Sequence, residues 1–260
     1  MISVLLAVCN AENYLCDAMD SLACQTCQDF EVVAIDDGST DASLEILNSY
    51  RSASTLDLKI FSQCNQGLTS TLNRALSYSS GEYIARMDAD DISLPERFSE
   101  SLSFICEGDY DFIVTQAEQF SSYSTRRLVP NAKGAGRMLT PRLLRFGNAF
   151  VHGTFFMRRD VLVKHGYNEK YRTAQDYDLL CRLSRDTAVR MGYLDRVLYR
   201  LRVDPGSSGR KLGGGQLANA RLIAKEHFGS DKLLIPGSTG LSLLGKRILK
   251  SSLLFCGGWV

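Results

Sequence analysis

The sequence lacks any apolar run near the ~20 residues that a membrane-spanning helix needs. Its first ten residues, MISVLLAVCN, carry no basic charge, and their apolar run is too short for a signal peptide. We therefore expect a cytoplasmic protein whose eight scattered cysteines are reduced thiols. Cys24 and Cys27 have the spacing of half a redox or zinc site. No second pair follows and there are only three histidines, which favours ordinary packing of both.

Several motifs of nucleotide-using and hydrolytic enzymes are also missing. No G-x-G-x-x-G follows the first predicted strand, so a dinucleotide-binding fold has no support. The sequence has neither a Walker lysine motif nor the G-x-S-x-G elbow of serine hydrolases. Asp88 could begin a calcium loop, but the sixth position has no glycine and Ser99 stands where the closing glutamate belongs.

Charge is unevenly distributed, although the formal net charge is only +1. Residues 196–260 hold eleven Lys and Arg against three Asp and Glu, whereas the residues before them are acidic on balance. The acidic body suggests a metal site and the basic tail suggests an anionic partner, with a solvated basic surface as the other interpretation of the tail. The length and the 45% of hydrophobic residues suit one large α/β domain, or one domain with a small appendage.

Strand and helix patterns alternate through the first half of the chain. The continuous apolar run at 2–9 predicts a strand that is buried on both faces. Residues 30–35 are predicted to form a second buried strand and 82–87 another strand, with amphipathic helices between them. Such alternation indicates a mostly parallel, doubly wound sheet flanked by helices.

Local signals also predict where helices begin and where a loop lies. Asn10 is placed to cap the helix over 15–22, and Ser93 with Glu96 resembles a capping box before another helix. The polar segment 121–136 is predicted to be a loop.

Two acidic clusters follow predicted strands, at Asp36-Asp37 and at Asp88-x-Asp90-Asp91. In an open parallel sheet, ligands bind at the carboxyl ends of the strands. Carboxylates gathered there repel one another unless a cation joins them. Mg²⁺ and Mn²⁺ take few carboxylates and complete their shells with phosphate oxygens. The pattern therefore points to a metal–diphosphate site, with polar turns and a helix cap as the alternative interpretation.

Six short motifs follow one another along roughly the first 205 residues. They are Val4–Asn10 with Ala11–Leu15, Gln25-Thr26, Asp36–Asp41, Asn65–Gly67 with Leu72-Asn73, Gly81–Asp91, and Gln175–Leu179. In this order they resemble the family 2 glycosyltransferases, which implies an inverting enzyme of GT-A fold, similar to those of bacterial polysaccharide and O-antigen assembly.

The resemblance also implies how the chain is divided. A glycosyltransferase domain is expected at 1–205, with a nucleotide-sugar-binding half at 1–115 and an acceptor and catalytic half at 116–205. Residues 206–260 are expected to form a basic, amphipathic helical region.

The resemblance assigns roles at the donor site. Asp37 resembles the carboxylate that hydrogen-bonds the donor base, usually uracil, and Asp88 resembles the residue that contacts the ribose. Asp90 resembles the metal ligand of the D-x-D motif, for Mn²⁺ or Mg²⁺, with Asp91 beside it as a donor-sugar or metal-shell candidate. The remaining donor-site candidates are Ala7, Cys9, Asn10, Asn65, Gly67, Arg86 and Ala89.

Some of these positions depart from the family pattern or have open roles. Ala7 and Cys9 stand where the family often has Pro and Tyr flanking the base. Arg86 could contact a donor phosphate or sugar, or form a surface salt bridge. Arg200 and Arg202 could bind a diphosphate or headgroup, or face solvent.

Asp176 resembles the catalytic base of the family, at the second position of a Glu-Asp pair whose first position is Gln175 here. Such a carboxylate can accept the proton of the acceptor hydroxyl only during attack on the anomeric carbon. The first turn of a helix favours its ionised form. A first-turn carboxylate without catalytic duty is the alternative. His152 resembles a residue that meets the acceptor or diphosphate, or is a structural histidine, and Asp204 stands where the family often has a histidine.

The implied activity is transfer of a hexose or N-acetylhexosamine from a UDP-sugar to a hydroxyl of a lipid-linked saccharide, in polysaccharide or lipopolysaccharide biosynthesis. No nucleic-acid partner is expected. The basic, apolar segment 241–256 could lie on the inner face of the cytoplasmic membrane, cover its own sheet, or pair with a second copy. A nucleotidyltransferase would need a Gly-rich basic loop at Asn10–Tyr14, which is missing. A catalytically weak nucleotide-sugar-binding scaffold remains the alternative.

Overall fold

A computed structural model of the chain describes residues 1–53, 56–121, 124–131, 141–145, 147–204 and 213–231. Its strands are β1 (Ile2–Val8), β2 (Phe30–Asp37), β3 (Asp57–Gln63), β4 (Tyr83–Asp88), β5 (Ile92–Ser93), β6 (Phe112–Ser121), β7 (Ser124–Val129), β8 (Phe156–Arg158) and β9 (Met191–Arg202). Its helices are α1 (Leu15–Ala23), α2 (Ser43–Ser52), α3 (Leu68–Tyr78), α4 (Arg97–Glu107), α5 (Pro141–Leu144), α6 (Arg159–His165), α7 (Gln175–Arg185) and α8 (Gly213–Phe228), with a 3-10 turn at His152–Thr154.

The described strands form one sheet in the order β3-β2-β1-β4-β8-β6-β9-β5, and β7 pairs with β6. Six strands, β1 to β4, β6 and β9, run in one direction, while β5, β7 and β8 run in the other. The predicted mostly parallel sheet with flanking helices is confirmed. Because β1, β2 and β4 are parallel neighbours, their carboxyl ends meet at one edge of the sheet.

The central strands are buried on both faces because successive side chains of a strand point to opposite sides. One face packs against α3 and α5 to α8, through strand residues that include Leu5, Val33 and Ile84. The other face packs against α1, α2 and α4, through residues that include Val4, Val32 and Ala85. This double burial explains why these strands are mostly apolar in the sequence.

The last described helix belongs to the same packed body. Ile223 and Ala224 of α8 are fully buried in the core cluster that contains α7. Residues on both sides of position 205 therefore share a core, and the division into 1–205 and 206–260 stays a prediction. None of the helices in the described part of the chain has the length and apolarity that crossing a bilayer requires.

The predicted Asn10 cap of α1 is wrong. That helix begins at Leu15, and no side chain caps it. The Asn10 side chain instead accepts a hydrogen bond from the amide of Thr40, at 2.8 Å, and Asn10 has a left-handed φ of 52°. Asn10 therefore joins the loop after β1 to the loop after β2, a long-range contact that outweighs the local one.

The predicted capping box and loop are wrong as well. Ser93 lies in β5, where its amide donates to the hydroxyl of Ser21 at 3.0 Å, and α4 begins only at Arg97. Part of the predicted loop 121–136 is β7, which pairs antiparallel with β6. As an edge strand, β7 needs no alternation of buried and exposed residues strong enough to see in the sequence. Residues 132–140 lie outside the described part.

Candidate active site

Asp37, the last residue of β2, holds the loop that follows β3. Its carboxylate accepts hydrogen bonds from the backbone amides of Gln66 and Gly67, at 2.8 and 2.9 Å, and from the side chain of Gln63 at 2.7 Å. Gly67 has a φ of 87°, in the left-handed region that favours glycine. Asp37 is thereby fixed at the sheet edge before any ligand arrives. Gln63 was not anticipated, although it lies opposite Asp37 in the pairing of β2 with β3.

Cys9 and Asn65 line the same edge. The side chain of Asn65 donates to the carbonyl of Asp37 at 3.0 Å and to the sulfur of Cys9 at 3.3 Å. Burial and the nearby charge of Asp37 raise the pKa of the Cys9 thiol. Among the candidates, these three residues and Gly67 come together in the structure.

The pairing of β1 with β2 and β4 shows how this edge of the sheet continues to the acidic loop. On one side of β1, Val8 lies opposite Asp36, and on the other side Ala7 lies opposite Asp88. Neighbouring strands lie about 4.8 Å apart. Asp37 and Asp88 therefore flank the end of β1, separated by roughly two strand spacings, about 10 Å.

Three carboxylates converge just past β4. Asp88, Asp90 and Asp91 each offer an oxygen, and these oxygens lie within 4.8 Å of one another. Burial, with the charges of Asp88 and Asp90, raises the pKa of Asp91 well above its usual value. One Asp91 oxygen is buried without a hydrogen-bond partner in the described part of the chain. An all-oxygen donor set with unrelieved negative charge fits Mg²⁺ or Mn²⁺.

Arg202, at the end of β9, fixes the acidic loop. Its amide donates to Asp91 at 2.7 Å, and its side chain donates to the carbonyl of Asp90 and to the carboxylate of Asp17, both at 2.8 Å. A second guanidinium nitrogen lies 3.6 Å from Asp204. The Arg202 side chain is only 11% exposed, so the solvent-facing interpretation is wrong. Asp204 is thus linked to the acidic cluster by Arg202.

Arg86 lies beneath the acidic loop. It is 2% exposed and forms an ion pair with Asp88, whose side chain is 28% exposed, so the arginine half of this pair is buried. Its charge opposes the effect of burial on the pKa of Asp176 and adds to the effect of burial on the pKa of His152. Arg86 therefore interacts electrostatically with both the acidic loop and the first turn of α7.

Asp176 lies in the first turn of α7, as predicted. Asn148 donates to its carboxylate at 2.6 Å. Burial raises the pKa of Asp176, while the amide of Tyr177, the charge of Arg86 and the bond from Asn148 act in the opposite direction, and the net shift is upward. Gln175 is buried beside it, and its side-chain oxygen has no hydrogen-bond partner among the described residues.

His152, in the 3-10 turn, is buried. Its Nε2 is 2.9 Å from the hydroxyl of Tyr167, and its ring packs edge-on against Phe155 and Tyr167. Burial and Arg86 lower the pKa of His152 well below its usual value, which keeps the ring neutral at pH 7. The structure gives His152 a buried hydrogen-bonding partner, and its contact with an acceptor stays a prediction.

Two further residues, Arg97 and Tyr199, were missed by sequence reasoning. The hydroxyl of Tyr199 accepts a hydrogen bond from the amide of Asp88 at 3.1 Å, and the guanidinium of Arg97 lies 4.9 Å from the Tyr199 ring centre. Both are fully buried. Asn148 was missed too. No local signal marks these residues, because their partners lie far away in the chain.

Comparisons with known proteins point to one family. Residues 3–166 match the profile of glycosyl transferase family 2. EpsE of Bacillus subtilis (strain 168), which is named as a glycosyltransferase, is 30% identical over 230 residues, or 85% of this chain and 80% of EpsE. The O-antigen biosynthesis glycosyltransferase WbnJ of Escherichia coli is 29% identical over 78% of this chain and 80% of WbnJ.

Solved structures show the same fold. S. aureus TarS 1–349 in complex with UDP-GlcNAc has a TM-score of 0.72 and 25% identity, covering 88% of this chain and 67% of the TarS chain. A mannosyltransferase of Pyrobaculum calidifontis in complex with GDP-Man and Mn²⁺ has a TM-score of 0.61 and 17% identity, covering 88% of this chain and 62% of that one. The chain belongs to glycosyl transferase family 2 and is a glycosyltransferase with the GT-A fold.

Proposed function

We propose that this enzyme moves a hexose or N-acetylhexosamine from a UDP-sugar to a hydroxyl of a saccharide acceptor, with inversion, in cell-surface polysaccharide biosynthesis. The observation that carries the proposal is the link between β4 and the 3-10 turn. Arg97 joins the two by donating to the carbonyls of Arg86 and Gly153, both at 2.7 Å, and Arg86 forms an ion pair with Asp88. Asn148, just before that turn, donates to Asp176 at 2.6 Å. We infer that the carboxylates suited to a metal–diphosphate group and the candidate base border one site.

The donor end of the proposal rests on the edge formed by Cys9, Asp37, Asn65 and Gly67. Polar groups at the carboxyl ends of parallel strands are the usual place for a nucleotide in an α/β sheet. TarS, which shares the fold at 25% identity, was solved with UDP-GlcNAc. We infer that the base lies against Asp37 and that Asp88 faces the ribose.

Asp90 would hold Mn²⁺ or Mg²⁺, with Asp88 and Asp91 beside it. When bound, such an ion would offset the negative charge that grows on the departing diphosphate. The three clustered carboxylates and the raised pKa of Asp91 support a cation at this position.

Asp176 serves as the base in this proposal. The acceptor oxygen forms a bond to the anomeric carbon while the bond from that carbon to the diphosphate oxygen breaks, and UDP leaves with the bonding electron pair. The acceptor proton passes to the carboxylate of Asp176 as the attack proceeds. Attack from the face opposite the leaving group inverts the anomeric carbon.

A lipid-linked acceptor is the finer part of the proposal. WbnJ takes part in O-antigen biosynthesis by its name, which supports an acceptor of this class. We propose that the enzyme works in the cytoplasm at the inner membrane face, through contact by the segment 241–256. That segment lies outside the described residues.

The test first measures the binding of UDP-sugars in the presence of Mn²⁺ by calorimetry. It then measures the slow hydrolysis of the UDP-sugar that binds. Asp90→Asn is expected to lower hydrolysis roughly 100-fold or more, because transition-state charge loses its compensation. Asp57→Asn, at the opposite end of the sheet, is the matched control, since Asp57 is exposed at the start of β3. Absence of nucleotide binding with metal present would overturn the proposal. Metal-dependent binding without turnover would favour the scaffold alternative.

A further inference from the structure

Asn148 makes two hydrogen bonds that fix the direction of its side-chain amide. Its oxygen accepts from the backbone amide of Phe150 at 2.8 Å, and its nitrogen donates to the carboxylate of Asp176 at 2.6 Å. A backbone N–H can only donate, so the amide oxygen must face Phe150. The nitrogen of Asn148 is therefore committed to Asp176.

The bond joins two parts of the fold that are distant in sequence. Asn148 lies between α5 and the 3-10 turn, 28 residues before Asp176. The end of α5, just before this segment, is joined to α7 through Tyr177, whose hydroxyl donates to the carbonyl of Leu144 at 2.7 Å. The backbone of the same loop and helix α7 thus hold the Asn148 side chain between them, and it is preorganised to orient the carboxylate of Asp176.

The groups around Asp176 differ in their effect on its charge. Arg86 faces it from β4 and favours the ionised form. Tyr167, from the loop after α6, and Cys181, from α7 itself, are neutral because burial raises the pKa of both. Asn148 adds a donor with no ionisable group of its own, and donation to a carboxylate stabilises its charged form.

We propose that Asn148 is a positioning residue that holds the carboxylate of Asp176 oriented to receive the acceptor proton. The inference rests on the proposed role of Asp176 as the base. Burial and Asn148 act against each other on that carboxylate, so removal of the Asn148 bond leaves burial less opposed. The enzyme then needs a higher pH to keep Asp176 ionised.

The experiment measures the pH profile of UDP-N-acetylglucosamine hydrolysis with Mn²⁺ for the wild type and Asn148→Ala. The acid limb of kcat is expected to move to higher pH by about one unit, since a hydrogen bond to a charged group contributes about that much. We expect kcat at neutral pH to fall about tenfold or more, while the donor KM changes little. Asn148→Asp places a like charge at the same distance and is expected to shift the limb further in the same direction.

Asn48→Ala is the matched control, because Asn48 makes its hydrogen bonds within and near α2 and none to α7. A second readout needs no turnover. The carboxyl carbon-13 shift of Asp176 in the metal-free protein, assigned by difference from Asp176→Asn, reports its pKa directly. We expect the pKa to rise by about one unit in Asn148→Ala.

The outcomes separate the two proposals. If Asp176→Asn keeps wild-type turnover, the proposed base is wrong. If Asp176→Asn is inactive but neither the acid limb nor the carbon-13 titration moves in Asn148→Ala and Asn148→Asp, Asn148 is a structural residue only. A fall in thermal stability without these shifts would overturn the inference in the same way.

Discussion

Single buried side chains set the position of the acidic loop. Arg97 donates to the carbonyls of Arg86 and Gly153, both at 2.7 Å, and its guanidinium lies over the ring of Tyr199. Burial lowers the pKa of Arg97 to about 10, so the group remains charged at pH 7. A Cβ at Gly153 would lie 2.3 Å from atoms of the Tyr199 ring. Glycine at 153 is therefore what lets Tyr199 reach the amide of Asp88.

Tyr199→Phe tests this support at the residue scale. The variant keeps the ring but leaves the Asp88 amide without its acceptor, which costs about 1 to 3 kcal/mol in the free energy of unfolding. We also expect weaker binding of UDP with Mn²⁺, because Asp88 is less firmly held. Urea denaturation and calorimetry measure the two effects. Tyr50→Phe is the control, since the Tyr50 hydroxyl bonds to Asp20 and Cys16 on the α1 side. Equal affinity in wild type and Tyr199→Phe would show that the hydroxyl does not position Asp88.

At the scale of elements, Glu31 joins four segments at the opposite end of the sheet. This β2 residue accepts hydrogen bonds from Ser3 of β1 at 2.5 Å and from the Ser80 amide before β4 at 2.6 Å, and it pairs with Lys59 of β3 at 2.5 Å. Burial alone would raise the pKa of Glu31. Lys59 and the hydrogen bonds outweigh burial and lower the pKa to about 2.

The depressed pKa of Glu31 predicts how stability depends on pH. The carboxylate of Glu31 binds its proton near pH 4.5 in the unfolded chain and near pH 2 in the folded chain. The contribution of Glu31 to the free energy of unfolding is therefore complete above pH 4.5 and is lost as the pH falls toward 2. Glu31→Gln is expected to unfold about 2 kcal/mol more easily at pH 7, and its deficit should shrink between pH 4.5 and 2. The midpoints of urea denaturation across this pH range measure the deficit. Glu45→Gln, at an exposed position of α2, is the control. A deficit that does not change with pH would contradict the assignment.

The elements were predictable where their signal is local. Mostly apolar segments predicted β1, β2 and β4, because burial on both faces leaves little room for polar residues. Helix starts were less predictable, because tertiary contacts compete with capping. The Asn10 side chain accepts a hydrogen bond from the amide of Thr40, 30 residues away, and Ser93 of β5 pairs with Tyr199 of β9. The polar β7 shows no strand pattern, since an edge strand has one partner.

At the scale of the whole molecule, the sequence placed two motif residues at one edge of the sheet and missed the residues that support them. Asp37 and Asp88 were placed because the carboxyl ends of parallel strands share an edge. The support comes from chain segments that fold back much later: Arg202 reaches Asp91 across 111 positions, and Tyr199 reaches Asp88 across the same span. Such contacts follow from the complete topology, which no local spacing reveals.

The distribution of cysteines over the molecule offers a map of the donor site. Five of the seven described cysteines are exposed, namely Cys9, Cys16, Cys24, Cys64 and Cys106. The sulfur of Cys9 accepts a hydrogen bond from the side chain of Asn65 at the proposed base-binding edge. Cys24 and Cys106 lie just after α1 and at the end of α4, on elements that cover one face of the sheet. The same molecule therefore contains the probe and its internal controls.

Alkylation with and without UDP and Mn²⁺ is expected to protect Cys9 selectively. At ten times the dissociation constant, occupancy lowers the Cys9 rate about tenfold, while Cys24 and Cys106 react as before. The raised pKa of Cys9 slows its reaction, because the thiolate is the nucleophile, so mildly alkaline pH is required. Mass spectrometry of peptides gives each rate separately. Protection of Cys24 or Cys106 with Cys9 unchanged would place the nucleotide elsewhere, because a base resting on Asp37 must cover the thiol that Asn65 holds beside it.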